Sequence, residues 1–134
     1  MWSRRLEVRT GDRQSVNDLT PAINDAVGEL GDGLLNILLP HATAGLALIE
    51  TGSGSDDDLL DRLEGLLPRN ERYRHRHGAP GHGRDHLLPA FISPSLTLPV
   101  VGGRLQLGTW QSVVLVDTNA DNPVRQVWLS FATG

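Results

Sequence analysis

The chain has 134 residues, a formal net charge of −4, 39% hydrophobic and 4% aromatic residues, which fits one domain with a core of Leu, Val, Ile and Ala. It has no cysteine, and all 12 basic residues are arginine; this excludes disulfides, thiolate metal sites and thiol nucleophiles, and equally Schiff-base and P-loop lysine chemistry. The acidic balance argues against a nucleic-acid surface, no apolar run approaches the ~18 residues of a membrane helix, and Met1–Arg9 lacks the apolar stretch of a signal peptide, so the expected compartment is the cytoplasm.

Trp2 to Val8 alternates apolar and charged residues, the pattern of a half-buried strand. Asp18-Leu19-Thr20-Pro21 predicts a helix start, with Thr20 as cap and Pro21 in the first turn. Leu19, Ile23, Ala26, Val27 and Leu30 then fall at helical spacing, and Gly31 marks the stop. The apolar run Gly33–Leu39, closed by Pro40, predicts a buried strand, and His41–Glu50 a turn followed by a second extended segment. Ser55-Asp56-Asp57-Asp58 opens a helix whose apolar face is Leu59, Leu60, Leu63, Leu66 and Leu67, and Pro68 ends it. Residues 68–86 are rich in Arg, His, Gly and Pro and read as a loop long enough to suggest function. Leu87–Ile92 reads as a helical turn or short helix. From Ser95 the pattern is extended: Ser95–Val100, a Gly102-Gly103 turn, Arg104–Leu107, Trp110–Asp117 and Val124–Phe131. The sum is a single α+β domain over residues 1–134, with two or three helices, six or seven strands and a C-terminal antiparallel meander.

Four of the five histidines (His75, His77, His82, His86) fall within residues 75–86, and the fifth, His41, follows a buried strand. Converging neutral imidazoles can hold a divalent ion; the alternative is an exposed polar loop with incidental histidines. His75 and His77 in an extended segment face the same way, whereas His82 and His86 share a face only in a helix, against which Gly83 argues. Glu50 is either a ligand or general base, or a surface carboxylate at a strand end. Asp56–Asp58 is either a magnesium-binding run or the acidic first turn of a helix. Trp110 and Gln111 either line a pocket or sit at a bulge, and Asp117 is either functional or turn-forming. Arg69, Arg72, Arg74, Arg76 and Arg84 form an anion-facing patch.

One set of residues carries a resemblance. His41-Ala42-Thr43-Ala44-Gly45-Leu46, Glu50, Pro68, Tyr73-Arg74-His75, Asp85-His86-Leu87, Pro99-Val100 and Gly103-Arg104-Leu105-Gln106-Leu107-Gly108-Thr109-Trp110-Gln111 together resemble the YjbQ-like family, often labelled secondary thiamine-phosphate synthase. The likeness runs from about Leu6 to the end, and Gly103–Gln111 is its most specific part. It implies an α+β fold containing an antiparallel β-sandwich, assembled as a homotrimer. It implies an enzyme that joins a pyrimidine diphosphate to a thiazole phosphate, releasing pyrophosphate. It implies a divalent metal, zinc or magnesium, on His41, His75 and His86; catalytic roles for Glu50, Gln111 and Asp117; and an anionic small-molecule substrate met by Arg74, Trp110 and Arg125. A metal-dependent hydrolase and a non-catalytic metal- or ligand-binding trimer are the alternatives. The chain departs from the family pattern at Ala42, where Thr or Ser is usual, at Asp117, where Glu is usual, and at Val124, which takes the place of an arginine and has Arg125 beside it.

Overall fold

The alternating segments pair into two antiparallel sheets in the computed structural model, which describes residues 1–70, 73–75 and 81–134. The first sheet has five strands in the order β1 (Trp2–Arg9), β8 (Val124–Ala132), β3 (Gly33–Leu38), β5 (Ser95–Val101) and β6 (Arg104–Leu105). The second has three, in the order β2 (Ser15–Asp18), β7 (Ser112–Asp117) and β4 (Ala44–Ile49). Helices α1 (Thr20–Val27) and α2 (Ser55–Leu66) are accompanied by two single turns, α3 (His82–Asp85) and α4 (Leu88–Phe91). This is the α+β class that the sequence pattern predicts.

Period-two burial explains the layering. Leu35 and Ile37 of β3, Val127, Leu129 and Phe131 of β8, and Val113 and Leu115 of β7 meet between the sheets, and Ile23 and Val27 of α1 close the same core. The alternate residues of β7, Val114 and Val116, point the other way, onto Leu63 and Leu67 of the α2 segment and Leu88 of α4. The second sheet is thus covered on both faces, giving the sequence sheet, sheet, helix. Each of these side chains contributes about 1.5–3 kcal/mol by leaving water.

The structure departs from the expected organisation at identifiable points. Ser15–Asp18 is a strand, although its one apolar residue, Val16, gives no alternation to read; its pairing with β7 supplies the order. The expected C-terminal meander is broken, because β7 joins the second sheet and β8 inserts between β1 and β3. β6 stops at Leu105, and the polypeptide around Gly108–Gln111 turns, with the Gln111 N–H donating to Gly108 O at 3.1 Å. Thr20 does not cap α1. Asp18 Oδ1 accepts the Thr20 N–H at 2.9 Å, and Thr20 Oγ1 instead accepts the Val113 N–H at 2.9 Å. The acidic run Asp56–Asp58 lies in the first turn of α2, where it complements the helix dipole.

Candidate metal centre

Residues 82–86 form a helical turn, closed by the His86 N–H donating to His82 O at 3.2 Å. The i, i+4 spacing therefore puts both imidazoles on one face, and their Nε2 atoms stand 2.8 Å apart. His75 comes from the preceding segment; its ring centroid lies 4.2 Å from that of His86 and 5.5 Å from that of His82. One ligand nitrogen from each of His75, His82 and His86 falls within 4.8 Å of the other two, in a half-buried setting. Gly83 makes this approach possible instead of breaking it. A Cβ there would stand 2.8 Å from both His75 O and Tyr73 Cβ, so a side chain would push the two segments apart. Tyr73 is itself anchored, its hydroxyl donating to Pro68 O at 2.6 Å.

Buried charges hold the turn in place. Arg84 is fully buried; its Nε donates to Asp85 Oδ1 at 2.9 Å, its Nη1 to Leu67 O at 3.2 Å, and its Nη2 to Glu64 Oε1 at 3.4 Å. Asp85 Oδ1 also accepts the Thr118 hydroxyl at 2.7 Å, and Arg69 Nη2 donates to Thr118 O at 2.8 Å. The end of α2, the α3 turn and the loop after β7 are thereby tied together. That loop also delivers Asp121, whose Oδ2 lies 3.3 Å from His82 Nδ1.

A second buried network lies between β7 and β8. Arg125 clasps Asp117 in a bidentate pair, Nε to Oδ2 at 2.7 Å and Nη2 to Oδ1 at 3.0 Å, and Nη2 also donates to Thr43 Oγ1 at 2.9 Å. Asp117 further accepts the Thr10 hydroxyl at 2.7 Å and the Asn119 N–H at 2.9 Å. Next to it, His41 Nε2 accepts the Gln126 N–H at 2.9 Å, which requires a lone pair and hence the neutral ring. Burial, and then the charge of Arg125, lower the His41 pKa from its ordinary 6.5, with Asp117 pulling the other way.

Of the three histidines that the resemblance points to, His75 and His86 stand in the cluster and His82 completes it; His41 instead faces the Asp117–Arg125 network. Glu50 sits half-buried just past β4, Arg74 is exposed beside His75, and Trp110 is 72% exposed. Gln111 Oε1 accepts the Gly108 N–H at 2.8 Å, closing its own turn. His77, Arg72 and Arg76 lie outside the described residues. The helical register of His82 and His86 was hidden in the sequence by Gly83; the signal for it is the flanking Gly81, which stands immediately before the turn with a φ of +87°, a conformation that glycine favours.

Proteins with the same layered α+β fold include a hypothetical protein of Aeropyrum pernix K1, with a TM-score of 0.88 and 31% identity over 100% of both chains. A conserved hypothetical protein of Thermus thermophilus matches with a TM-score of 0.83 and 35% identity, over 96% of this chain and 99% of that one. The chain belongs to the family described as UPF0047 protein YjbQ-like, whose model matches residues 4–134. A UPF0047 protein of Mycobacterium tuberculosis strain H37Rv is 60% identical over 129 residues, 96% of each chain. Among the described residues, no helix is long and apolar enough to cross a membrane.

Proposed function

We propose that this chain is a metal-dependent enzyme acting on an anionic small molecule, with His75, His82 and His86 holding a divalent ion. The observation that carries the reading is the convergence of three imidazole nitrogens within 4.8 Å of one another. The donor set fits such an ion: neutral imidazoles favour zinc over the all-oxygen shell that magnesium prefers, and three protein ligands leave a coordination position for substrate. When bound, the ion supplies Lewis-acid stabilisation of charge on a phosphoryl or carbonyl oxygen. Arg84 and Arg125 place their guanidinium groups against carboxylates inside the fold, so among the described residues near the cluster the exposed Arg74 beside His75 is the arginine assigned to the substrate anion. Within this class, the particular reaction that the resemblance implies joins a pyrimidine diphosphate to a thiazole phosphate with loss of pyrophosphate, and hydrolysis of a phosphate ester is the alternative.

The test is a metal determination on the purified protein, followed by assays for thiamine phosphate formation and for phosphatase and esterase activity, each repeated with His86→Ala. Product dependent on the metal and lost in the variant supports the reading. Well under one ion per chain after reconstitution overturns it.

The same reading includes a homotrimer. The outward face of the five-stranded sheet exposes Leu34, Leu38, Val101 and Trp128, an apolar area of the kind subunits cover. Light scattering at the mass of three chains supports this, and a monomer mass refutes it.

A further inference from the structure

We propose that Asp121 is a positioning residue for the metal centre, its carboxylate facing Nδ1 of His82 so that the Nε2 lone pair of that ring is turned to the ion. The proposal rests on the metal reading above and adds to it the group that orients one ligand.

The two nitrogens of His82 face different neighbours. Nε2 stands 2.8 Å from His86 Nε2, inside the cluster, while Nδ1 stands 3.3 Å from Asp121 Oδ2. An imidazole ligates only through its unprotonated nitrogen, so the other must carry the proton. A carboxylate beside that second nitrogen selects this tautomer, fixes the ring plane and raises the basicity of the ligand atom. The Asp121 side chain is 39% exposed and that of His82 13%, and a contact with one partner this open to water contributes little to stability. The bearing of the contact is on the orientation of the ring.

The carboxylate is also held on a built scaffold. Asp117 Oδ1 accepts the Asn119 N–H at 2.9 Å, and Asn119 Oδ1 accepts the Asp121 N–H at 2.7 Å. These are two successive Asx turns, each fixing a backbone amide two residues on. Their origin, Asp117, is locked by Arg125 and Thr10. The buried ion pair therefore sets the place of Asp121, and Asp121 sets the place of His82. The loop from 117 to 121 carries this geometry from the sheet to the α3 turn.

Zinc affinity is measured by competition with a chromophoric chelator for the full chain, for Asp121→Asn, for His82→Ala and for the double variant, together with the melting temperature of each metal-free protein. Cobalt substitution adds a d–d absorption spectrum. The expected result is a loss of zinc affinity of about 10–100-fold in Asp121→Asn, an altered cobalt spectrum and an unchanged metal-free melting temperature. In the His82→Ala background, Asp121→Asn is expected to cause no further loss, because the carboxylate acts through that ring. If the unmodified chain binds zinc and Asp121→Asn binds it equally well, the positioning role fails and the metal centre stands. Full additivity of the two substitutions likewise overturns the role. If the unmodified chain binds no zinc, the metal centre fails and this role with it.

Discussion

Arg125 Nε stands 2.7 Å from Asp117 Oδ2, and both side chains are 1% exposed. A salt bridge this deep is weak evidence of net stabilisation, but removing one partner strands a charge in a dry interior at about 3–5 kcal/mol. Arg125→Met is therefore expected to lower the unfolding free energy by about that amount in urea denaturation. Adding Asp117→Leu to it is expected to recover part of the loss, because the two substitutions share one interaction. An Arg125→Met loss below about 1 kcal/mol would mean that water reaches the pair.

His41 gives the fold a dependence on pH. Its pKa is lowered in the folded protein, by burial and then by Arg125, relative to the ordinary 6.5. In the window between the two values the unfolded chain binds the proton that the folded chain refuses, so stability rises with pH there. The contribution is complete above 6.5 and is lost as pH falls through the folded value. Gln at this position keeps an acceptor for the Gln126 N–H and does not titrate. Denaturation curves at a series of pH values are expected to show a shallower acid loss for His41→Gln than for the native chain. Identical slopes would remove His41 from the account.

The two histidine environments are expected to separate in their response to added metal. His82→Ala deletes one of three converging donors and is expected to weaken zinc binding by more than the ~100-fold upper range of a lost outer-sphere partner. His41→Ala is expected to leave zinc affinity within a few-fold, while reducing stability. Calorimetric titration of both variants makes the comparison. The reverse ranking would assign the metal to His41.

Gly83 is where packing and chemistry meet. Alanine is a better helix former by about 1 kcal/mol, yet its Cβ would stand 2.8 Å from His75 O and from Tyr73 Cβ. Overpacking of this kind costs about 1–3 kcal/mol, so sterics outweigh propensity. Gly83→Ala is expected to lower the melting temperature modestly and zinc affinity more strongly, because relief comes by moving His75 away from His86. A stabilised variant with native affinity would contradict the packing described.

The strands whose two faces differ were open to reading from residue order alone. Trp2–Arg9 and Val124–Ala132 alternate, pair with each other and present one apolar face each. Ser15–Asp18 was not readable, since an edge strand of four mostly polar residues takes its order from β7 and not from its own pattern. The exchange of β7 and β8 between sheets escaped for a related reason: alternation fixes which face is buried and is silent about which strand lies alongside. At the site, the clustering of histidines was visible and the partition among them was not. His82 reached the cluster because a single turn of helix formed around Gly83, stabilised by Arg84 contacts to Leu67 and Glu64, 17 and 20 residues earlier in the chain. Those contacts leave no local trace. Nor did anything near Arg84 or Arg125 announce that two arginines would be interior residues.

Val113 to Val116 form a partition wall. Their side chains alternate into the two apolar compartments, and their backbone pairs with β2 on one side and β4 on the other. The strand is covered on both faces and paired on both edges, so its amides are released only by unfolding of the whole molecule. The slowest hydrogen exchange in the protein is expected here. The wall ends at Asp117, the residue from which the loop toward the histidines departs, so the most persistent part of the fold and the reference point of its histidine cluster are one continuous stretch of chain.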